Sequence, residues 1–169
     1  MIHVYTGTGK GKTTAAFGLA LRALGSGKKV TVVQFLKGRK DIGEFKIQKR
    51  LKGLKVHQFG RPDFVDPMNP EKIDFELAAE GLKFAEKVLK EEKPDLLILD
   101  EANVAMHYGL LSTSDVLAFI KSVPDSVELV LTGRDAPKEI LEAADLVTEM
   151  KEIAHPYRRG VKARRGVEY

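Results

Sequence analysis

Cysteine is absent from all 169 residues, and so is tryptophan. Without cysteine there is no disulfide framework, no thiolate metal site and no cysteine nucleophile. The four histidines, His3, His57, His107 and His155, match no zinc-ligand spacing and stand in no Ser-His-Asp order, so they read as scattered structural or surface residues. No apolar run is long enough to cross a membrane. The N-terminus enters an apolar, strand-like stretch at once and lacks the basic segment of a secretory signal. These absences lead to the expectation of a soluble, cytoplasmic protein. A net charge of only +4 suits an anionic ligand or an ordinary soluble surface and gives no argument for nucleic acid. No repeat, heptad seam or low-complexity linker divides the chain, and its length suits one α/β domain spanning 1–169 with a substantial core.

The first fourteen residues, MIHVYTGTGKGKTT, carry the strongest signal. An apolar run from Ile2 to Tyr5 feeds a loop holding Gly7, Gly9 and Gly11. The loop closes on Lys12-Thr13-Thr14, and AAFGLALRAL follows with a helical composition. Strand, glycine-rich turn and helix opening on Lys-Thr together form a phosphate cradle. Glycines let backbone amides approach an anion, and the first helical turn offers unpaired N–H groups and the positive end of its dipole. Lys12 would reach phosphate oxygens and Thr13 would place its hydroxyl on a magnesium ion. Against the usual G-x-x-x-x-G-K-[ST] spacing, the first glycine should stand at Thr6; Gly7 comes one place late. The alternative is a plain glycine-rich turn with Lys12 as a solvated charge, but the flanking strand and helix favour the cradle.

Apolar, β-branched segments alternate with longer helical patterns. Strands are predicted at Val30 to Phe35, Leu54 to Phe59, Asp95 to Asp100, Val127 to Gly133 and Leu146 to Met150, besides the first. Continuously apolar strands separated by helices imply a mostly parallel sheet covered on both faces, with right-handed connections. The clearest helix follows Pro70, with Asn69 as its expected cap and Glu71 at its positive end. Its Lys and Glu face, including the Glu86–Lys90 pair, reads as solvated surface. The first helix ends near Gly25 or Gly27, and Arg22 lies too far along it to serve the loop. The segment Gly60 to Pro70 (GRPDFVDPMNP) is stiffened by three prolines and reads either as a binding loop or as a simple crossover. The basic tail, HPYRRGVKARRGVEY, is either frayed or folded back near the phosphate loop.

Two further segments fall at the sheet edge where ligands of parallel α/β folds gather. Asp100 and Glu101 end the most apolar strand. Asp100 would hold magnesium directly or through water; Glu101 would bind a ribose hydroxyl, order water or approach the metal. Both would otherwise serve as caps of the next helix. Thr132-Gly133-Arg134 follows the fifth strand, where Arg134 would reach a phosphate or ribose or would be an ordinary surface arginine.

Taken together, TGTGKGKTTAAFGLALRALG, the KKV-x-VVQF-x-KG segment, LLILDEAN, LVLTGR and the H-P-Y-x-x-G-V-K-A-x-x-G-V-E-Y ending resemble the P-loop corrinoid adenosyltransferases over nearly the whole chain, including the displaced loop glycine. The resemblance implies a RecA-like, three-layer P-loop sandwich that binds ATP with magnesium. It implies transfer of the 5′-deoxyadenosyl group to the cobalt of a reduced corrinoid, cob(I)alamin or a precursor, with release of triphosphate. By matching position, Gly7, Thr8, Gly9, Lys10, Gly11, Lys12, Thr13 and Thr14 would hold the triphosphate. Asp100 and Glu101 would serve metal and ribose, with Thr13 a metal ligand beside Asp100, and Arg134 would assist the nucleotide. The catalytic set is then Lys12, Thr13, Asp100 and Glu101. The resemblance also implies a homodimer and a flavoprotein reductant. The competing readings are a P-loop NTPase or nucleoside kinase, for which Lys12-Thr13 and Asp100 would serve equally, and a regulatory nucleotide-binding module.

Two departures from that family bear on the corrinoid. Some members carry a segment before the first strand that covers the active site, whereas here the strand begins at residue 2. Familiar members also place a tryptophan among aromatics in the loop matching Gly60 to Pro70, to help displace the lower corrinoid ligand. Here Val65 takes that place and Phe64 is the nearby aromatic, expected on the corrinoid side.

Overall fold

The computed structural model describes residues 1–63 and 65–167. Six strands form one sheet: β1 (Ile2–Thr6), β2 (Val30–Phe35), β3 (Leu54–Phe59), β4 (Leu96–Asp100), β5 (Glu128–Thr132) and β6 (Leu146–Glu149), in the order β3-β2-β4-β5-β1-β6. Every neighbouring pair is parallel, so the sheet is wholly rather than mostly parallel. The strand carrying the glycine loop and the strand ending in Asp100 are separated by β5.

Among the described residues six α-helices flank the sheet: α1 (Lys12–Gly25), α2 (Gly43–Ile47), α3 (Lys72–Glu91), α4 (Ala102–His107), α5 (Thr113–Ser122) and α6 (Lys138–Glu142), with a 3-10 turn at Pro156–Arg159. Strand side chains alternate between two apolar layers, as the period of two dictates. Val33, Phe35, Leu97, Leu99, Leu129 and Leu131 pack under α3, α4, α5 and α6. Val30, Val32, Leu96, Ile98 and Val130 pack against Ala16 and Ala20 of α1 and Phe45 and Ile47 around α2. Because both faces are covered, the central strands are apolar along most of their length, with Thr31, Gln34, Asp100 and Thr132 as buried polar exceptions. The chain therefore leaves β1 and β2 toward one face and β3, β4 and β5 toward the other. Where those directions diverge, at the carboxyl ends of the strands, folds of this kind bind their ligands.

Local details follow from capping chemistry. In α1, Gly25 is the last helical residue, and Gly27 (φ 76) donates its N–H to the Leu24 carbonyl at 2.9 Å. The start of α3 differs from expectation. Glu71, not Asn69, is the cap: its carboxylate accepts from the backbone of Asp74, and Asp74 accepts from the Glu71 N–H at 2.9 Å. This reciprocal pair satisfies two end amides at once and leaves Pro70 outside the helix. Gly81, midway along α3, lies so close to the sheet that a Cβ there would meet Phe35 Cε1 at 2.8 Å.

Candidate active site

The loop between β1 and α1 presses against the end of β6. A Cβ on Gly7 would lie 2.5 Å from the Met150 carbonyl oxygen, and one on Gly9 2.7 Å from it. The Gly9 N–H donates to that oxygen at 2.6 Å. Two of the three loop glycines thus admit backbone of this chain, a different cause from the anion access expected of all three. Gly11 is the one that opens the loop: it precedes α1 with φ 115, a conformation that excludes most side chains, and delivers the first-turn N–H groups, which have no intrahelical partners. Lys12 is buried, and its Nζ donates to the Gly7 and Gly9 carbonyls, each at 2.7 Å. Burial, with the Arg134 charge second, lowers its pKa, partly opposed by Glu101 and Asp135. Thr13 and Thr14 stand in the first turn of α1, Thr14 exposed; Thr8 and Lys10 are exposed on the loop itself. Lys10 Nζ donates to the Val167 carbonyl at 3.1 Å, so the tail folds back onto the loop, and the frayed alternative is set aside.

Asp100 is the hub of the site and is fully buried. Its Oδ1 accepts from the hydroxyls of Thr13 at 2.8 Å and Thr132 at 2.7 Å. Its Oδ2 accepts from Gln34 Nε2 at 2.9 Å and Lys37 Nζ at 2.7 Å. Burial alone would raise the Asp100 pKa; the Lys37 charge and hydrogen bond, then the Thr132 and Thr13 hydroxyls, outweigh it and hold the carboxyl below its usual range. The same pairing acts on Lys37, whose pKa burial would lower and Asp100 and Glu101 raise above normal. The two form an ionised pair inside the strand ends.

Gln34, Lys37 and Thr132 belong to this site although the sequence reading gave them no role in it. The signal for Gln34 was an amide next to last in a strand otherwise apolar but for Thr31, and the structure buries it completely. Its meaning rests on register: β2 pairs with β4 so that Gln34 stands opposite Asp100. Gln58 on β3 extends the network, donating to Gln34 Oε1 at 3.0 Å.

Glu101 follows immediately, in a left-handed conformation (φ 62) fixed by its N–H donating to Thr132 Oγ1 at 3.0 Å. A non-glycine residue there costs on the order of 1 kcal/mol; Glu101 holds the cap position of α4, but its side chain makes no capping hydrogen bond. Burial and the neighbouring Asp100 push its pKa up, with Lys37, Lys12 and Arg134 partly opposing. Arg134 is exposed on the turn after β5, within electrostatic reach of both Lys12 and Glu101. That turn is held by Asn103 Nδ2 donating to the Gly133 carbonyl at 3.2 Å. Phe64 lies outside the described residues.

The donors suit a magnesium ion in kind, being hydroxyl and carboxylate oxygens. Both Asp100 oxygens already accept two hydrogen bonds each, so Thr13 and Glu101 are the more open donors. Among the described residues no three His, Asp or Glu side chains converge as a metal site, and no helix is long and apolar enough to cross a membrane.

Comparison with solved structures gives the same frame. The chain resembles the flagellar accessory protein FlaH of Methanocaldococcus jannaschii, with a TM-score of 0.56 and 16% identity over 88% of this chain and 69% of that one. It resembles a KaiC-like protein of Pyrococcus horikoshii OT3, also with a TM-score of 0.56 and 16% identity, over 90% and 74%. The fold is the RecA-like P-loop sandwich. At the sequence level, the corrinoid adenosyltransferase of Pseudomonas aeruginosa is 40% identical over 170 residues, covering 100% of this chain and 83% of that protein. Those of a Sinorhizobium species and Escherichia coli K12 are each 37% identical, covering 100% of this chain and 80% and 85% of theirs. The ATP:corrinoid adenosyltransferase family BtuR/CobO/CobP matches across residues 1–169, and with the phosphate loop, the Asp100 hub and the RecA-like sheet in place, the chain belongs to that family and is an enzyme of ATP:corrinoid adenosyl transfer.

Proposed function

We propose that residues 1–169 work as a single catalytic domain in which ATP lies with its triphosphate along Gly7–Thr14 and its ribose 5′ carbon toward the corrinoid. Lys12, the first-turn amides of α1 and Arg134 take up the charge that gathers on the triphosphate. Thr13 and Glu101 would hold magnesium, with Asp100 orienting Thr13 from behind; the ion would supply further charge neutralisation at the phosphate oxygens. The electron pair of cobalt(I) forms the bond to C5′, the C5′–oxygen bond breaks, and that oxygen leaves with its electrons as triphosphate while cobalt becomes formally cobalt(III). Reduced cobalt is itself the nucleophile, so the chain needs no general base, and its tasks are alignment and leaving-group stabilisation.

The observation that best supports this reading is the Thr13–Asp100 hydrogen bond backed by the Lys37–Asp100 ion pair, which fixes the metal-facing hydroxyl against a carboxylate held ionised. We further propose a cytoplasmic homodimer served by a flavoprotein reductant, with the Gly60 to Pro70 loop and Phe64 on the corrinoid side. Incubation with ATP, magnesium and a chemically reduced corrinoid, followed by absorbance and phosphorus spectroscopy, tests the chemistry. The expected products are an adenosylated corrinoid and intact triphosphate. Stoichiometric ADP would restore the kinase reading, which the full-length family match disfavours.

A further inference from the structure

The loop that separates β3 from α3 is clasped at its base by one residue. Arg61, next but one after β3, donates Nε to Asp74 Oδ1 at 2.8 Å and Nη2 to Asp74 Oδ2 at 3.0 Å, a two-point fork on a carboxylate that is 4% exposed. Its Nη1 reaches Glu71 Oε1 at 2.6 Å. Those two acids are the reciprocal cap of α3, so the guanidinium ties the loop's first residue to the helix that ends it. The other side of the base is equally confined. A Cβ on Gly60 would meet the Lys37 backbone nitrogen at 2.3 Å, and one on Gly38 would meet the Gly60 carbonyl oxygen at 2.3 Å. Leu36 N–H donates to the Phe59 carbonyl at 3.1 Å. The loop base is thereby seated on the strand-end turn that carries Lys37 to Asp100. Above it, Val65 packs against the main core while Met68 is 90% exposed.

From this geometry we infer that Arg61 is a positioning residue for the corrinoid: by locking the two ends of the 61–71 loop together it fixes the base from which the loop departs, beside the turn that carries Lys37 to Asp100. A planar fork on a buried carboxylate fixes direction as well as distance, which a lysine or a surface ion pair does not do. The inference rests on the reading of this loop as the corrinoid side.

The test is steady-state kinetics of the full chain with Arg61→Met, Arg61→Lys and Phe64→Ala, with ATP affinity measured separately by calorimetry. For Arg61→Met, KM for the reduced corrinoid should rise about tenfold, as a misplaced substrate contact does, while ATP affinity stays within about twofold. Arg61→Lys, which keeps one ion pair, should fall between Arg61→Met and the parent; it carries the same test should Arg61→Met not accumulate. An unchanged corrinoid KM in the arginine variants, with Phe64→Ala raising it, overturns the clasp while sparing the loop assignment. Unchanged corrinoid KM in all three overturns the loop assignment, and the clasp with it. Equal losses for ATP and corrinoid, together with a lowered melting temperature, reduce Arg61 to a support of α3 and also overturn the proposal.

Discussion

Thr13 and Asp100, eighty-seven positions apart, meet through a 2.8 Å hydrogen bond from Oγ1 to Oδ1. The bond reaches from the first turn of α1 to the end of β4, across the intervening strand β5, and the β5 residue Thr132 donates to the same oxygen at 2.7 Å. Three elements are thus registered at one buried atom. The Thr13 hydroxyl donates its hydrogen to Asp100, which leaves the oxygen's lone pairs for another partner, magnesium in the proposed function.

Asp100→Asn keeps the shape of this hub but not its chemistry. The carboxylate accepts four hydrogen bonds; the amide presents an NH2 group to either the two hydroxyls or the Gln34 amide and the Lys37 ammonium. Activity should fall about 100-fold, in line with loss of one preorganised electrostatic contact, and the magnesium needed for half-maximal rate should rise. Stability responds too: the Asp100 pKa is held below 3.8 in the folded state, so its contribution is present above that value and lost as pH falls through the folded pKa. An unchanged magnesium titration would confine Asp100 to a structural role.

Lys12→Met retains the stem and removes the ammonium that now bridges the Gly7 and Gly9 carbonyls. Two losses combine: the loop loses its internal clamp, and the triphosphate loses a charge-assisted contact. ATP affinity and turnover should each drop steeply, the rate by about 100-fold or more. Near-parental ATP affinity by calorimetry would move the triphosphate away from this loop.

Much of the frame was legible in the chain because parallel strands buried on both faces are continuous apolar runs; all six strands fall within a residue or two of the expected segments. The glycine loop, Asp100, Glu101 and Arg134 were legible because each sits at a strand end. Gln34 and Lys37 were not, since their role depends on β2 lying beside β4, a neighbour relation that no local pattern encodes. The Asn69 cap failed for a local reason: the Glu71–Asp74 exchange satisfies two helix-end amides, which a single Asn side chain does not. The tail was ambiguous by composition, and one long-range contact, Lys10 to the Val167 carbonyl, decides it.

Phe64 stands in the proline-stiffened loop, where the sequence offers one large aromatic and no tryptophan. Phe64→Ala should raise the corrinoid KM about tenfold, the order expected for losing a large apolar contact, and leave ATP affinity largely unchanged. Introducing the missing ring with Val65→Trp is the complementary change. Equal effects on both substrates in Phe64→Ala would assign that ring to folding instead.

Glu101 should trade stability for function in a pH-dependent way. Its carboxyl is pushed above the ordinary 4.5 by burial and by Asp100, against Lys37, Lys12 and Arg134. An acid with a raised folded pKa binds a proton in the native state that the unfolded chain has already released. Stability therefore declines as pH rises from 4.5 through the folded pKa, and the penalty persists above it. Glu101→Gln carries no such charge. Measured without ATP or magnesium, its melting temperature should exceed the parent's near pH 8 and converge with it near pH 4, where the parent's carboxyl is protonated in both states. Turnover of the same variant should fall about tenfold to 100-fold if the carboxylate serves metal or ribose, and the parent's activity should climb with pH through the raised Glu101 pKa. A variant less stable than the parent at about pH 8 would show that the carboxylate is well compensated in the resting fold, and the stability cost assigned to it would have to be withdrawn.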